Sequence, residues 1–172
     1  AAQAVAKRAL DYIEAVCSGI REHGKAMPIV QTLAAPPETL FGGLDRSLPG
    51  TLFDIIGRIN RGIAEAYRGS RGVVLDVARL AESVGVASWF DATLYNLAKQ
   101  PFAAEFLPLY ADHVARTISA IRGKSRRVLV LDLDNTVWGG VIGDDGMEGI
   151  KLAQGDATGE AHLAVQRYAL AL

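Results

Sequence analysis

The chain has 172 residues, half of them apolar, enough to fill one ordinary core or one core and part of a second, and too many for a disordered polymer. Its 18 lysines and arginines against 19 aspartates and glutamates leave a formal charge of −1, which excludes a broad electrostatic footprint for nucleic acid or an anionic membrane. The single cysteine, Cys17, excludes an intrachain disulfide and a cysteine-cluster metal site, and it fits a reducing compartment.

No charged-then-apolar leader and no run of about 18 apolar residues is present, so neither export nor membrane spanning is expected, and the cytoplasm is the expected location. The chain opens on Ala1-Ala-Gln-Ala-Val without an initiator Met and is helix-like at once, as expected of a chain that starts inside a longer protein.

From Ala4 to about Glu22, Val5, Leu10, Ile13, Val16, Cys17 and Ile20 recur at three- and four-residue steps, the spacing of a helix with one buried stripe that ends at Gly24. Met27 to Leu33 reads as a short buried strand, and Ala34-Ala-Pro-Pro-Glu and Phe41-Gly-Gly-Leu mark a loop running to about Gly50. A second helix is predicted from Thr51 to about Tyr67 with Leu52, Ile55, Ile56, Ile59 and Ile63 inside, stopped by Gly69 to Gly72. Val73 to Val77 is the next strand. Helix, strand, helix, strand joined by short turns predicts an α/β layer on a parallel sheet. Ala78 to Val86 reads as helical, Trp89-Phe90-Asp91 opens an irregular segment reaching Pro101 and Pro108, and a long helix follows to about Arg122 on Leu109, Val114, Ile118 and Ile121. Gly123-Lys-Ser-Arg-Arg127 is short, polar and basic, and the expected domain boundary lies there.

Val128 to Leu131 is a continuous apolar run, as expected of a central parallel strand covered on both faces, and it ends in Asp132-Leu-Asp134-Asn-Thr136. The carboxyl ends of such strands are where ligands bind in open α/β sheets. Two carboxylates two residues apart, with the chain leaving the strand between them, converge on one pocket and call for a cation. Mg²⁺ suits them: a hard ion that takes one or two carboxylates, a carbonyl and waters and leaves room for a substrate phosphate. Asp132 is then placed to attack phosphorus, and Asp134 to protonate the leaving oxygen and later activate the group that resolves the aspartyl-phosphate. Thr136 is expected to position the loop or a phosphate oxygen.

The run Leu131-Asp-Leu-Asp-Asn-Thr-Val-Trp-Gly-Gly-Val-Ile-Gly-Asp-Asp-Gly146 resembles the first motif of the haloacid-dehalogenase (HAD) superfamily in the form carried by FkbH-like proteins. The resemblance continues through Gly149-Ile-Lys-Leu and Glu160 to Leu172, and upstream through Asn96-Leu-Ala-Lys-Gln-Pro-Phe102 and Leu107-Pro-Leu-Tyr-Ala-Asp112. It implies a three-layer, parallel-sheet SGNH-hydrolase-like (flavodoxin-like) portion over residues 1–122, a linker over 123–127, and the first strand, flap and helix of a HAD-like Rossmannoid domain over 128–172. It implies Asp132 as nucleophile and Asp134 as acid/base, with both carboxylates and the Leu133 carbonyl facing Mg²⁺. Trp138, Gly139 and Gly140 fall on the mobile flap, a tight hairpin whose tryptophan covers the site. Asp144-Asp145-Gly146 has the chemistry of a hairpin turn, not of a metal ligand.

The activity implied is dephosphorylation of a phosphorylated small-molecule acyl donor such as 1,3-bisphosphoglycerate, with the acyl group loaded onto an acyl carrier protein. HAD chemistry also needs a Ser or Thr, a Lys and a further acidic pair beyond Leu172, so this chain is expected to hold half a site and to be a poor phosphatase alone. The closing Asp-x-x-His of an SGNH esterase is at best Asp91-Ala-Thr-Leu94, where leucine cannot act as a base; the first domain is expected to hold a carrier or acyl group. A carrier- or acyl-binding module without catalysis is therefore the second reading, and a phospho-accepting receiver, disfavoured by the Trp-Gly-Gly flap, is the third.

Other polar residues read more simply. Cys17 lies on an apolar stripe and reads as a small core residue in place of an acyl-transfer thiol. His113 and His162 lack a second ligand at metal spacing and read as ordinary helix residues, and His23 suits a helix C-terminus. Arg122, Lys124, Arg126 and Arg127 read as a solvated linker. Asn96 and Lys99 match the family pattern, with a site role and a loop role both open.

Overall fold

The computed structural model describes residues 2–69 and 72–172. The chain divides into two compact units, Ala1–Gly123 and Lys124–Leu172. The first is mostly helical around a small parallel sheet: α1 (Ala2–Gly24), β1 (Ile29–Gln31), a 3₁₀ turn (Gly42–Arg46), α2 (Leu52–Ala66), β2 (Val73–Leu75), α3 (Val77–Val84), α4 (Val86–Trp89), α5 (Ala92–Ala98), a second 3₁₀ turn (Ala104–Phe106) and α6 (Leu107–Ile121). The second contains α7 (Ile142–Gly149) and α8 (Ala157–Ala171). Among the described residues no helix is long and apolar enough to cross a membrane.

The inner stripe of α1 is Ala6, Leu10, Ile13 and Cys17, stepping by four, three and four residues; Val5, Val16 and Ile20 flank it and remain partly exposed. It packs on α2 through Ile55, Ile59 and Ile63, with Tyr67, Val30 and Val74 closing the cluster. Leu52, expected inside, is more than half exposed. Thr51 caps α2: its hydroxyl accepts from the Asp54 amide, while the Asp54 carboxylate reaches back to accept from the Gly50 amide, one residue before the cap. The Gly50 amide, with Arg58 behind it, holds the Asp54 carboxyl below its ordinary range, against a smaller desolvation effect. Of the predicted Gly69–Gly72 stop, Ser70 and Arg71 lie outside the described residues.

The predicted strands are real but short. β1 and β2 pair in parallel, Ile29 with Val73, Val30 with Val74 and Gln31 with Leu75, and the described sheet has these two strands, where part of a three-layer, parallel-sheet domain was expected. The pairing ends at Asp76 because that residue caps α3, accepting from the Arg79 amide. Thr32 locks the junction. Its buried hydroxyl donates to Asp76 Oδ1 at 2.8 Å and accepts from the Ala78 amide at 2.9 Å. Thr32→Val, which keeps the shape and deletes both bonds, is expected to lower unfolding stability by about 1–3 kcal/mol in urea titration.

The segment expected to be irregular after Trp89 is structured. Asp91 caps α5 by accepting from the Leu94 amide, and Lys99 ends that helix in the left-handed region with its ammonium over the Tyr95 ring. Trp89, 1% exposed, stacks on Phe106 and meets Phe102 at a tilt, and it anchors a second core with Leu75, Val77, Leu80 and Ala81. Leu109, Tyr110 and Val114 of α6 pack on it, while Ile118 and Ile121, predicted on the same face, are partly exposed.

In the second unit two expectations are corrected. Val128 to Leu131 belongs to no ladder among the described residues and is uncovered, with Val128 78% and Val130 87% exposed at alternate positions and Leu129 52% and Leu131 37% exposed at the others. An apolar run of this kind becomes a buried strand only where neighbours take its amides and carbonyls, and none does so here. Second, Asp144-Asp145-Gly146 is not a hairpin turn but part of α7, whose first turn carries both acids. Gly146, at φ 66°, breaks the helix. Gly139 and Lys151 meet as an antiparallel pair, with α7 between them. Asp156 caps α8 through the Thr158 and Gly159 amides, so that helix starts three residues before Glu160.

Candidate active site

The loop after Leu131 is built by local chemistry. Asn135 sits in the left-handed region, φ 54°, a conformation its short polar side chain tolerates. Its amide donates to the Gly140 carbonyl at 3.2 Å and its Oδ1 accepts from the Gly140 amide at 2.9 Å, so residues 135–140 form a loop tied shut at its ends. Inside it, the Leu133 carbonyl accepts from the Val137 amide at 2.8 Å, Thr136 at 3.2 Å and Trp138 at 3.4 Å. That engagement corrects the expectation that the Leu133 carbonyl faces a metal: its lone pairs close the turn. The Asp134 carbonyl, by contrast, accepts no hydrogen bond among the described residues.

Asp134 is the most firmly held of the candidate residues. Its Oδ1 accepts from the Trp138 indole N–H at 3.0 Å and from the Ile142 amide at 3.2 Å, where α7 begins. Both bonds fall on one oxygen, leaving Oδ2 for other chemistry. Trp138, expected as a cover, thus acts on Asp134 through its ring nitrogen. Asp132 precedes the turn at the end of the apolar run and accepts from its own neighbour's amide, Leu133, at 2.9 Å, an exposed local contact.

Helix α8 grips the same loop from outside. His162 Nδ1 lies 3.0 Å from the Thr136 carbonyl, and Gln166 Nε2 donates to the Val137 carbonyl at 2.7 Å. A carbonyl only accepts, so Nδ1 is the donor in this contact, and Nε2 lies on the Gly139 side of the ring. His162 is therefore more than an ordinary helix residue, and Gln166 escaped the sequence reading altogether. Their four-residue spacing puts both on one side of α8, but their partners are backbone carbonyls, so the sequence carries no signal of the contact. Asp156 at the start of α8 is held below the usual carboxylate range by the Gly159 amide, which outweighs desolvation, with lesser help from the Thr158 amide and Lys151.

Gly139 and Gly140 belong to this packing. A Cβ on Gly139 would stand 3.1 Å from His162 Nε2, and one on Gly140, at φ +100°, would stand 2.8 Å from Asp145 Oδ2. Asp145 meanwhile accepts from the Val141 amide at 2.8 Å. Together Asn135, Gly139, Gly140, Asp145, Lys151 and His162 border a cavity of about 310 Å³ that does not include Asp132 or Asp134 in its lining. Gly140→Ala is expected to cost about 1–3 kcal/mol of local stability, read as faster hydrogen exchange at the Asn135 and Gly140 amides.

Among the described residues no group of three or more His, Cys, Asp and Glu side chains is gathered as a metal cage. The oxygen donors at the loop, the Asp132 carboxylate, Asp134 Oδ2 and the Asp134 carbonyl, are hard ligands of the sort Mg²⁺ takes when waters and substrate complete its shell. Magnesium chemistry fits that donor set.

In the first unit the sequence candidates serve structure. Cys17 is buried in the α1–α2 core beside Tyr67. The Tyr67 hydroxyl donates to Glu14 at 2.9 Å, and burial, with bonds to Cys17 and Glu14, raises its pKa far above the ordinary phenol value. Asp91 spends its carboxylate on the α5 cap, and Asp91-x-x-Leu94 forms no catalytic pair. His113 Nδ1 bonds the Leu109 carbonyl of its own helix.

No protein-family model matches the chain, and no curated protein matches it significantly. Among solved structures, it is similar to the crystal structure of the N-terminal part of the protein BF1531 from Bacteroides fragilis, which contains a phosphatase domain and is complexed with Mg. The two share 28% identity at a TM-score of 0.82, over 97% of this chain and 44% of that one. The chain thus spans less than half the length of a magnesium-bound phosphatase-domain protein that it resembles throughout.

Proposed function

We propose that this chain carries the nucleophile segment of a HAD-type, magnesium-dependent phosphotransferase of the FkbH-like kind. The observation that carries the reading is the Asp132-x-Asp134 loop, with Asp134 fixed by Trp138 and the α7 amide, in a chain similar along its length to a magnesium-bound phosphatase-domain protein. Residues 1–122 would be the SGNH-like portion and 128–172 the start of the Rossmannoid domain. The single cysteine supports a cytoplasmic setting.

In this reading an Asp132 oxygen forms a bond to phosphorus as the bond from phosphorus to the leaving oxygen breaks, and protonated Asp134 gives its proton to that oxygen. Asp134, now a carboxylate, takes a proton from the water that attacks the aspartyl-phosphate, releasing phosphate and restoring Asp132. Magnesium, when bound by Asp132 and Asp134, supplies neutralisation of the charge on the transferring phosphoryl group. Trp138 and the His162–Gln166 grip keep Asp134 and the loop in register through both steps. The substrate class is a phosphorylated small-molecule acyl donor such as 1,3-bisphosphoglycerate: Asp132 takes the phosphoryl group of its phosphate ester, and the thiol of an acyl carrier protein attacks the carbonyl carbon of its acyl phosphate, forming the thioester as the carbon–oxygen bond breaks and inorganic phosphate leaves.

A second reading, a carrier- or acyl-binding module without catalysis, is favoured by one observation, the open and unpaired Val128–Leu131 run. Phosphate release from an acyl phosphate separates the two. A form of the protein extending through the whole phosphatase domain is expected to release phosphate with magnesium and to stop with excess chelator, while this chain alone turns over poorly. Release unaffected by chelator, or absent from the extended form, contradicts the proposal.

A further inference from the structure

We propose that the groove between α1, α2 and the 3₁₀ turn Gly42–Arg46 is a docking site for an acidic amphipathic helix of a partner protein. The inference concerns the first unit alone and goes beyond the phosphotransferase reading, which it neither needs nor supports.

The groove has a volume of about 640 Å³, room for several side chains of an incoming helix. Four cations line it, Lys7, Arg46, Arg58 and Arg61, against two acids, Asp54 and Glu65, in a protein whose overall charge is −1. Asp54 is already committed to Arg58 at 2.8 Å and to the Gly50 amide. Lys7 faces Asp11 in a pair exposed on both sides, a contact readily exchanged for another carboxylate. Arg46 lies over the Phe53 ring, 4.6 Å from its centre, and Arg61 makes no ion pair among the described residues. Among the described residues, then, Arg46 and Arg61 line the groove without an ion pair, with Glu65 the one acid there not already paired.

Two further features select a helix over a simple anion. The segment that supplies Arg46 and Phe53 also carries Leu40, Phe41, Leu44 and Leu52, all more than half exposed, so an apolar rim adjoins the cations. Gly57, in the interior of α2, lines the groove, and a Cβ added there would meet nothing within 4 Å. Glycine is the weakest helix former apart from proline, and no neighbour in the chain requires one at this position. Its effect is a bare-backbone floor that lets another element approach closely. Gly62, by contrast, is filled by Leu10 of α1. A nucleic acid would leave the apolar rim uncovered, and an apolar helix would leave the arginines unanswered. A helix with acids on one flank and apolar anchors at i and i+4 meets both.

The test is fluorescence anisotropy with the whole chain and a labelled helical peptide carrying glutamates on one face and leucines at i, i+4 on the other. Its twin has lysine for every glutamate. The acidic peptide is expected to bind at least about tenfold more tightly than its twin, and the double variant Arg46→Glu, Arg61→Glu to lose at least about tenfold. Gly57→Leu is expected to weaken binding comparably while its melting temperature does not fall, which separates a filled groove from an unfolded chain. The proposal is overturned if the twins bind alike, or if the arginine variant binds the acidic peptide as the parent does. It is also overturned if a single-stranded oligonucleotide binds more tightly through the same arginines, or if sedimentation shows a dimer that the arginine variant abolishes.

Discussion

Trp89→Ala is expected to destabilise the first unit by about 3–5 kcal/mol, much of what holds a domain of this size folded. The side chain is fully buried, its ring centre lies 4.7 Å from that of Phe102 and 5.5 Å from that of Phe106, and the same cluster takes in Leu75, Leu80 and Ala81. Truncation leaves a cavity that three separate elements would have to move to fill. The backbone adds to this, since the Ala103 amide donates to the Trp89 carbonyl and ties the end of α4 to the second 3₁₀ turn. Urea unfolding should show a lower midpoint with an unchanged slope. A loss below about 1 kcal/mol would mean that the aromatic stack is not what closes this core.

The second large effect concerns chemistry. Asp132→Asn is expected to reduce phosphate release by the extended form by about three orders of magnitude or more, because an amide is a far weaker nucleophile towards phosphorus than a carboxylate. The amide oxygen can still accept from the Leu133 amide, so the loop should keep its shape. Asp134→Asn is a distinct case. The amide oxygen can go on accepting from Trp138 and Ile142, the loop stays intact, and what is lost is the proton donor and acceptor. That loss is expected to be smaller, about a hundred- to ten-thousandfold, and to fall on the resolving step as well as the first. Equal effects of the two substitutions would argue against separate roles.

Much of this was legible in the sequence where a local signal and the tertiary outcome agree. The isoleucine spacing of α2 and the apolar runs at Ile29 and Val73 announced their elements because helix periodicity and strand chemistry are local. On α1 Leu10, Ile13 and Cys17 were read correctly, and only the first member differs: Val5 outweighs Ala6 by hydropathy while packing against α2 favours the smaller side chain. Trp89 was placed in an irregular stretch because Pro101 and Pro108 dominate the local pattern, whereas its burial depends on Phe102 and Phe106 arriving from further along the chain. Asp144-Asp145-Gly146 is ambiguous in principle. Acidic residues before a glycine suit a hairpin turn, and acids also suit the first turn of a helix.

At the candidate site, Asp132 and Asp134 were legible because they interrupt an apolar run at a fixed spacing. The grip of His162 and Gln166 on the Thr136 and Val137 carbonyls was not, because both partners are backbone atoms and leave no side-chain signature. The Leu133 carbonyl was misassigned for the related reason that a carbonyl's direction is set by the turn, which here follows from the left-handed Asn135.

The central claim is that Asp132 becomes covalently phosphorylated, and the most direct measurement is mass spectrometry of the extended form, acid-quenched during turnover of an acyl phosphate and digested. The account predicts one added phosphoryl group on the peptide containing Asp132, more abundant in Asp134→Asn and absent from Asp132→Asn. Phosphate release proceeding with no phosphoryl group on that peptide, or with the group on another residue, would contradict it.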